Sequence, residues 1–454
     1  MSLDLPKGTD AILSADNHLV QSWADLNALK QNAARMAIVG AKGAMVRDAE
    51  GTEYIDGIGG LWCVNVGHGR EEIIDAIATQ LRELDYYSTF YSFTHPAAAA
   101  LAAKVAELAP GSLNKVHFGN SGSVANDGAV RILHHYWERL GKPSKKIVLS
   151  RHGAYHGSTY LTAAMTTPVY SIGWSGAREI VHHLKSPHYW REGGEMTEAE
   201  FLDALMLDLE ETIARIGADN IACFVAEPIM GAGGVIVAPE GYHVRAAAIC
   251  RAHDIKYVSD EVVTAFGRLG HFFASRDVFG VEPDIINTAK GLTSGYQPLS
   301  ATILSDEIHE VISGPGGSFL HGMTYSGHPA AAAAGLANIA LMQAEKIPER
   351  VRVTGPRFEA GLKALADLEI VGEVRGSHFM IGIEFVKDKA RKTSFAPEVA
   401  IGERVAKAAQ KRGLIARPLG NSLILSPTLI MAEAMIDRIA VILREAITEV
   451  SQSV

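Results

Sequence analysis

Between about Asn114 and Ser305 the chain alternates short β-branched runs with longer amphipathic stretches, and this rhythm limits the folds open to it. The runs cover residues 115–118, 146–149, 221–226, 255–258, 285–288 and 300–304, with helix-length segments at 126–138, 200–216 and 241–253 between several of them. Strands separated by helices lie side by side in a mostly parallel sheet covered on both faces. Glycine-rich stretches at 231–234 and 314–317 read as loops.

The texture changes after about Gly335. Helical patterns at 330–343 and 351–368 precede strands at 369–375 and 380–385, a helix at 398–412, a strand at 422–425 and a last helix from 432 to about 450. The alternation therefore predicts a large α/β domain over 61–335 and a smaller α+β domain over 336–454. Residues 45–47 and 52–55 form a hairpin around Asp48-Ala49-Glu50-Gly51, and segment 1–60 is expected to pack with the small domain. A chain of 454 residues is long enough for such a division.

Composition narrows the function classes. The net charge of −9, without a basic block, argues against a nucleic-acid partner and gives no support for binding an anionic membrane. No stretch approaches twenty large apolar residues, and the apolar run 329–342 is mostly alanine, which reads as a closely packed helix. Cys63, Cys223 and Cys250 are scattered and offer no zinc spacing. The N-terminus lacks the apolar core of a secretory signal, so a cytoplasmic location is expected.

In an open parallel sheet, ligands bind beyond the carboxyl ends of the strands. After 115–118 comes Gly119-Asn120-Ser121-Gly122-Ser123 leading into a helix, an arrangement that binds anions through free N–H groups and the helix dipole. The next strand end delivers Tyr155, an aromatic suited to stacking on a flat heterocycle. The others deliver Glu227, then Asp260-Glu261, then Lys290. His152 and His156 are four apart, but Gly153 and Gly157 argue against a helical metal face, and no metal is expected. Anion nest, aromatic, acids and amine together outline a phosphorylated aromatic aldehyde bound as a Schiff base. Gly57-Ile58-Gly59-Gly60 lacks a full dinucleotide fingerprint.

The segments Ser121-Gly122-Ser123, Tyr155-His156-Gly157, Glu227-Pro228, Ser259-Asp260-Glu261-Val262, Phe266-Gly267-Arg268, Ala289-Lys290-Gly291 and Thr324-Tyr325-Ser326-Gly327-His328-Pro329 resemble, in order and spacing, the class III aminotransferases, a fold-type-I family dependent on pyridoxal 5'-phosphate. Gly60-Leu61-Trp62-Cys63-Val64-Asn65 and the stretch after Lys290 resemble the omega-amino acid and amine:pyruvate transaminases within it.

The resemblance implies a seven-stranded, mostly parallel sheet in the large domain. It implies Lys290 as Schiff-base lysine and proton carrier, with Asp260 as partner of the ring nitrogen and Glu261 as a structural neighbour. Tyr155 and Val262 would flank the ring, Glu227 would lie at its polar edge, and Ser121, Gly122 and Ser123 would hold the phosphate. Thr324 would reach the phosphate of a neighbouring subunit, in a homodimer or a tetramer built from dimers. Arg417 would bind the acceptor's carboxylate, while Trp23, Trp62 and Phe90 would wall the pocket. The expected reaction moves an amino group from an omega-amino acid or primary amine to a 2-oxo acid, with pyruvate the expected acceptor, by a ping-pong cycle through pyridoxamine phosphate. Donors such as 4-aminobutyrate, taurine or a diamine, with 2-oxoglutarate as another acceptor, stay open. So do an aminomutase, a decarboxylase or a cofactor-binding protein without turnover. Val124 departs from the Glu usual in this family, removing an acid from the start of a helix, and Gly128 weakens that helix further.

Overall fold

The computed structural model describes residues 3–31 and 35–454. Its central sheet has seven strands, in the order Leu113–Gly119, Ser300–Ser305, Ile285–Thr288, Lys256–Asp260, Ile221–Ala226, Ile147–Arg151 and Val181–Leu184. All run parallel except Ser300–Ser305, which pairs antiparallel with both neighbours. The edge strand Val181–Leu184 is absent from the runs read in the sequence. Its Val-His-His-Leu has no continuous apolar signal, and only Leu184 is buried.

Successive residues of each strand serve opposite faces, as the period of two requires. Val148, Val225 and Val258 pack under helix Gly122–Arg139 with Leu133 and Trp137. Leu149, Phe224 and Tyr257 pack with Leu205, Leu209 and Ala246 of helices Glu198–Ile216 and Tyr242–Ala252. Each large apolar side chain buried this way stabilises the fold by about 1.5–3 kcal/mol.

Three smaller elements complete the frame of the site. The predicted hairpin forms as Met45–Asp48 and Glu53–Asp56, in a four-stranded sheet that also holds Ile38–Lys42 and Leu414–Ile415. Leu414–Ile415 runs parallel to Glu53–Asp56, so the N-terminal hairpin is hydrogen-bonded to the C-terminal part of the chain. Immediately afterwards Arg417–Leu419 joins Val371–Ser377, Met380–Phe385 and Ser422–Leu425 in a separate sheet.

Val124 and Gly128 each have a local cause. Val124 packs onto the end of the neighbouring strand, its Cγ1 lying 2.8 Å from where a Cβ on Gly119 would sit. A Cβ on Gly128 would meet His321 Nε2 at 3.1 Å, so the glycine admits the loop that carries His321.

Candidate active site

The carboxyl ends of the parallel strands open into a cavity of about 880 Å³. Ser121, Gly122, Ser123, Tyr155, Glu227, Asp260, Val262, Lys290, Trp23, Trp62 and Arg417 all border it. Eleven residues read from widely separated stretches of sequence thus meet at one sheet edge.

Asp260 is buried and held by three hydrogen bonds. Its Oδ2 accepts from Asn126 Nδ2 and from His156 Nδ1, each at 2.7 Å, and its Oδ1 accepts from the Val262 N–H at 3.1 Å. A carboxylate offers about four acceptor positions, so one remains for a ligand in the cavity. Asn126 is itself fixed, accepting from Asn287 Nδ2 at 2.8 Å and donating to the His156 carbonyl at 2.9 Å. Neither Asn126 nor His156 was read as a site residue. Asn126 stands one turn into the helix after Ser121, which was the available clue.

Glu261 points elsewhere. Its carboxylate receives the Ala274 and Ser275 N–H groups at 2.7 and 2.9 Å and the Thr264 hydroxyl at 3.2 Å, a structural anchorage away from the cavity. Glu227 accepts from the Tyr155 and Gly231 N–H groups at 3.0 and 2.9 Å. Burial pushes its carboxyl above the usual range, and nearby Asp260 adds to this, while His156 and the two N–H groups oppose it.

The nest at residues 121–123 is built from a capped helix start. Ser121 Oγ accepts from the Val124 N–H at 3.2 Å, and Ser123 Oγ accepts from the Ser158 N–H at 3.1 Å. A Cβ on Gly122 would come within 2.9 Å of Val262, so glycine is what keeps this edge open. The helix that follows has 18 residues, and its N-terminal N–H groups and dipole favour an anion.

Lys290 leaves its strand with φ +35°, in the left-handed region that a lysine rarely adopts. Lys145 donates to three backbone carbonyls and Lys256 pairs with Asp284 and Glu307. The Lys290 amine has no such partner among the described residues. Burial pushes it below the ordinary lysine value, with Arg417 adding to the shift and Asp260 and Glu227 opposing it.

At the outer end, Trp23 is 60 % exposed and forms a rim, edge-on to Tyr155 and Tyr170 at 5.5 and 5.2 Å. Trp62 is buried against Ile229, Met380 and Ile424 while bordering the cavity, so it is both core and wall. Tyr170, missed in the sequence because it lies in no periodic segment, donates to the Ala232 carbonyl at 3.1 Å. Arg417 is half-buried, and no ion pair engages its guanidinium among the described residues.

Phe90 and Thr324 do not border this chain's cavity. Phe90 sits 3.0 Å from where a Cβ on Gly322 would be, and Thr324 is exposed, its carbonyl receiving the Tyr86 hydroxyl at 2.7 Å. The segments that carry them are bonded to each other, Thr89 Oγ1 also donating to the Ser326 carbonyl at 3.1 Å.

Residues 27–447 match the model of the aminotransferase class-III family. The chain is a class-III aminotransferase. This aminotransferase is 40% identical to the putrescine–pyruvate aminotransferase of Pseudomonas aeruginosa, over 97% of its own length and 96% of the relative's. It is similar to an (S)-enantioselective omega-transaminase from Thermomicrobium roseum, with a TM-score of 0.95 and 38% identity, covering 98% of this chain and 99% of that one. A PMP-bound aminotransferase from Vibrio fluvialis gives a TM-score of 0.93 and 38% identity, covering 99% of both chains.

Class-III aminotransferases depend on pyridoxal 5'-phosphate. The donor set here fits that group. An amine unpartnered among the described residues, an acid with one acceptor position left and an N-terminal helix nest kept open by Gly122 are the three anchors it needs.

Proposed function

We propose that this aminotransferase moves an amino group from an omega-amino acid or primary amine to a 2-oxo acid, pyruvate being the acceptor, by a ping-pong cycle. The observation that carries the reading is Arg417, a cation without an ion pair among the described residues that borders the same cavity as the Lys290 amine. A guanidinium clamps a carboxylate through paired hydrogen bonds and can withdraw for an uncharged side chain. Both acids of the cavity, Asp260 and Glu227, already hold several hydrogen bonds, which favours donors whose far end is apolar or anionic over those with a second ammonium.

When bound, pyridoxal phosphate supplies an electrophilic aldehyde and a ring that accepts electron density from the substrate Cα. Ser121, Gly122 and Ser123 would hold its phosphate. Asp260, fixed by Asn126, His156 and the Val262 N–H, would hold a negative charge at the ring nitrogen. Tyr155 and Val262 would flank the ring, and Glu227 would lie at its polar edge. The Lys290 Nζ, held neutral more readily by burial, accepts and returns the proton at the substrate Cα.

The visible absorbance of the purified enzyme is expected to bleach with an amine donor and to return with pyruvate, read by alanine formation across a donor panel that includes putrescine. Recovery with 2-oxoglutarate but not pyruvate would overturn the acceptor. Arg417→Ala is expected to slow 2-oxo acid turnover about 10- to 100-fold, the loss of one charged hydrogen-bonded pair, and to slow aldehyde acceptors less. Equal losses on both acceptors would remove Arg417 from recognition.

A homodimer is the second part of the proposal. Tyr91 and Leu320 are 95 % and 88 % exposed, and Tyr87, Phe93 and Tyr325 are exposed beside them, on the same segments as Phe90 and Thr324. Apolar surface of this kind marks an interface, and a second copy would bring Phe90 and Thr324 to its partner's cavity. Leu320→Asp is expected to give an inactive monomer by sedimentation; an active monomer would sink the shared site. The cytoplasm is the proposed location, in keeping with three free cysteines. No described helix is long and apolar enough to cross a membrane.

A further inference from the structure

The turn after the lysine is unusually strained and unusually well held. Lys290, Ser294 and Gly295 have φ values of +35°, +50° and +79°, so three of six consecutive residues are left-handed and two of them carry side chains that disfavour it. Within the turn, the backbone bonds from Thr293 to Lys290 and from Ser294 to Gly291 are long, at 3.3 and 3.4 Å. Side chains from outside the turn make up the difference.

Asn338 is fully buried in helix Pro329–Ala344, which is otherwise almost wholly apolar. Its Nδ2 donates to the Gly291 and Leu292 carbonyls at 2.9 and 3.0 Å, and its Oδ1 accepts from Ser294 Oγ at 2.7 Å. The Ser294 hydroxyl in turn accepts from the Val66 N–H at 3.3 Å. On the other side of the turn stands Asn65, also fully buried, 2.4 Å from where a Cβ on Gly291 would sit. Asn65 donates to the Phe266 carbonyl and accepts from Arg268 Nη2, both at 2.7 Å. Arg268, buried without a carboxylate partner among the described residues, donates through Nη1 to the Phe379 and Pro427 carbonyls. Neither asparagine borders the cavity.

A buried amide whose donors and acceptor are all used fixes geometry, because any other arrangement strands a polar group away from water. Here the atoms it fixes are the carbonyls directly after Lys290. We infer that Asn338, backed by Asn65 and Arg268, is a positioning residue that holds the Lys290–Gly295 turn in the left-handed backbone that aims the Lys290 amine into the cavity. The inference rests on Lys290 as the reacting amine. If that reading fails, Lys290→Ala stays active; if only this inference fails, Lys290→Ala is dead while the turn variants react as the parent does.

The test uses the cofactor-free protein as well as the enzyme. Acetylation of Lys290 by acetic anhydride is followed across a pH series by mass spectrometry in the parent, Asn338→Ala, the milder Ser294→Ala, and Ile339→Ala as a packing control on the same helix. Asn338→Ala is expected to move the midpoint upward by about one pH unit, toward an ordinary lysine, as the amine leaves its desolvated place. Ser294→Ala moves it in the same direction by less. In the loaded enzyme, kcat falls about 100-fold in Asn338→Ala at nearly constant KM, the effect of a misplaced reacting group. Ile339→Ala lowers the melting temperature and leaves the midpoint in place. Unchanged midpoints in both turn variants, or an equal shift in Ile339→Ala, would reduce Asn338 to a packing residue. Should Asn338→Ala fail to fold, Ser294→Ala decides alone.

Discussion

Lys290→Ala is expected to lower turnover by roughly 10⁴-fold, the upper range for loss of a positioned proton-transfer group. Cofactor should still bind, because the nest at Ser121, Gly122 and Ser123 and the acceptor position on Asp260 do not involve the lysine. The variant should be no less stable than the parent. The amine has no hydrogen-bond partner among the described residues, and removing it relieves a desolvation cost that already depresses its pKa. The measurements are alanine formation from pyruvate, retention of cofactor absorbance after gel filtration, and thermal unfolding. Full activity would sink the mechanism, and loss of cofactor with the activity would show that the phosphate nest is too weak an anchor.

The parts of the site that were legible in the sequence are those that follow strand ends. In a parallel sheet the chain must leave each strand at the same edge, so Glu227, Asp260 and Lys290 converge once the strands at residues 221–226, 256–260 and 285–288 are recognised. The helix opening at Ser121 was legible for a similar reason, since a small polar cap after a β-branched run marks a strand-to-helix turn. Asn126 and His156 were not, because their roles depend on which face of a helix or loop meets Asp260, and that is decided by tertiary packing. Tyr170 belongs to a short 3₁₀ turn with no periodic pattern to mark it. Asn338 was hidden differently. An alanine-rich helix advertises close packing, but which backbone groups a polar residue within it meets is decided by tertiary packing.

Strand Val181–Leu184 shows the limit for the fold. As an edge strand it needs no continuous apolar run, and its two histidines break the pattern that identified its neighbours. Phe90 shows the limit for the site. A motif can place a residue in a functional constellation without saying which subunit's cavity it enters, and Phe90 does not border the cavity of its own chain.

Asp260→Ala is expected to cost about 10³-fold in turnover, comparable with removing one preorganised electrostatic contact at a reacting centre. The carboxylate is the hub of a closed network: Asn126, His156 and the Val262 N–H each donate to it, leaving one acceptor position toward the cavity. Its removal strands the buried Asn126 and His156 donors as well as the half-buried Val262 N–H, so some stability is lost, at about 1–3 kcal/mol for each buried group left unsatisfied. Asp260→Asn separates the two effects. The amide preserves size but supplies one oxygen where two were used, so its own N–H₂ must face at least one of those donors. Its charge is gone, and with it the means of keeping a proton on a ring nitrogen in the cavity. Turnover should therefore fall nearly as far in Asp260→Asn as in Asp260→Ala, while thermal stability recovers part of the loss. A cofactor analogue with a permanently charged ring nitrogen should restore activity to either variant but leave Lys290→Ala inactive. Rescue of neither Asp260 variant would mean that Asp260 acts by shaping the cavity and not by holding charge at the ring.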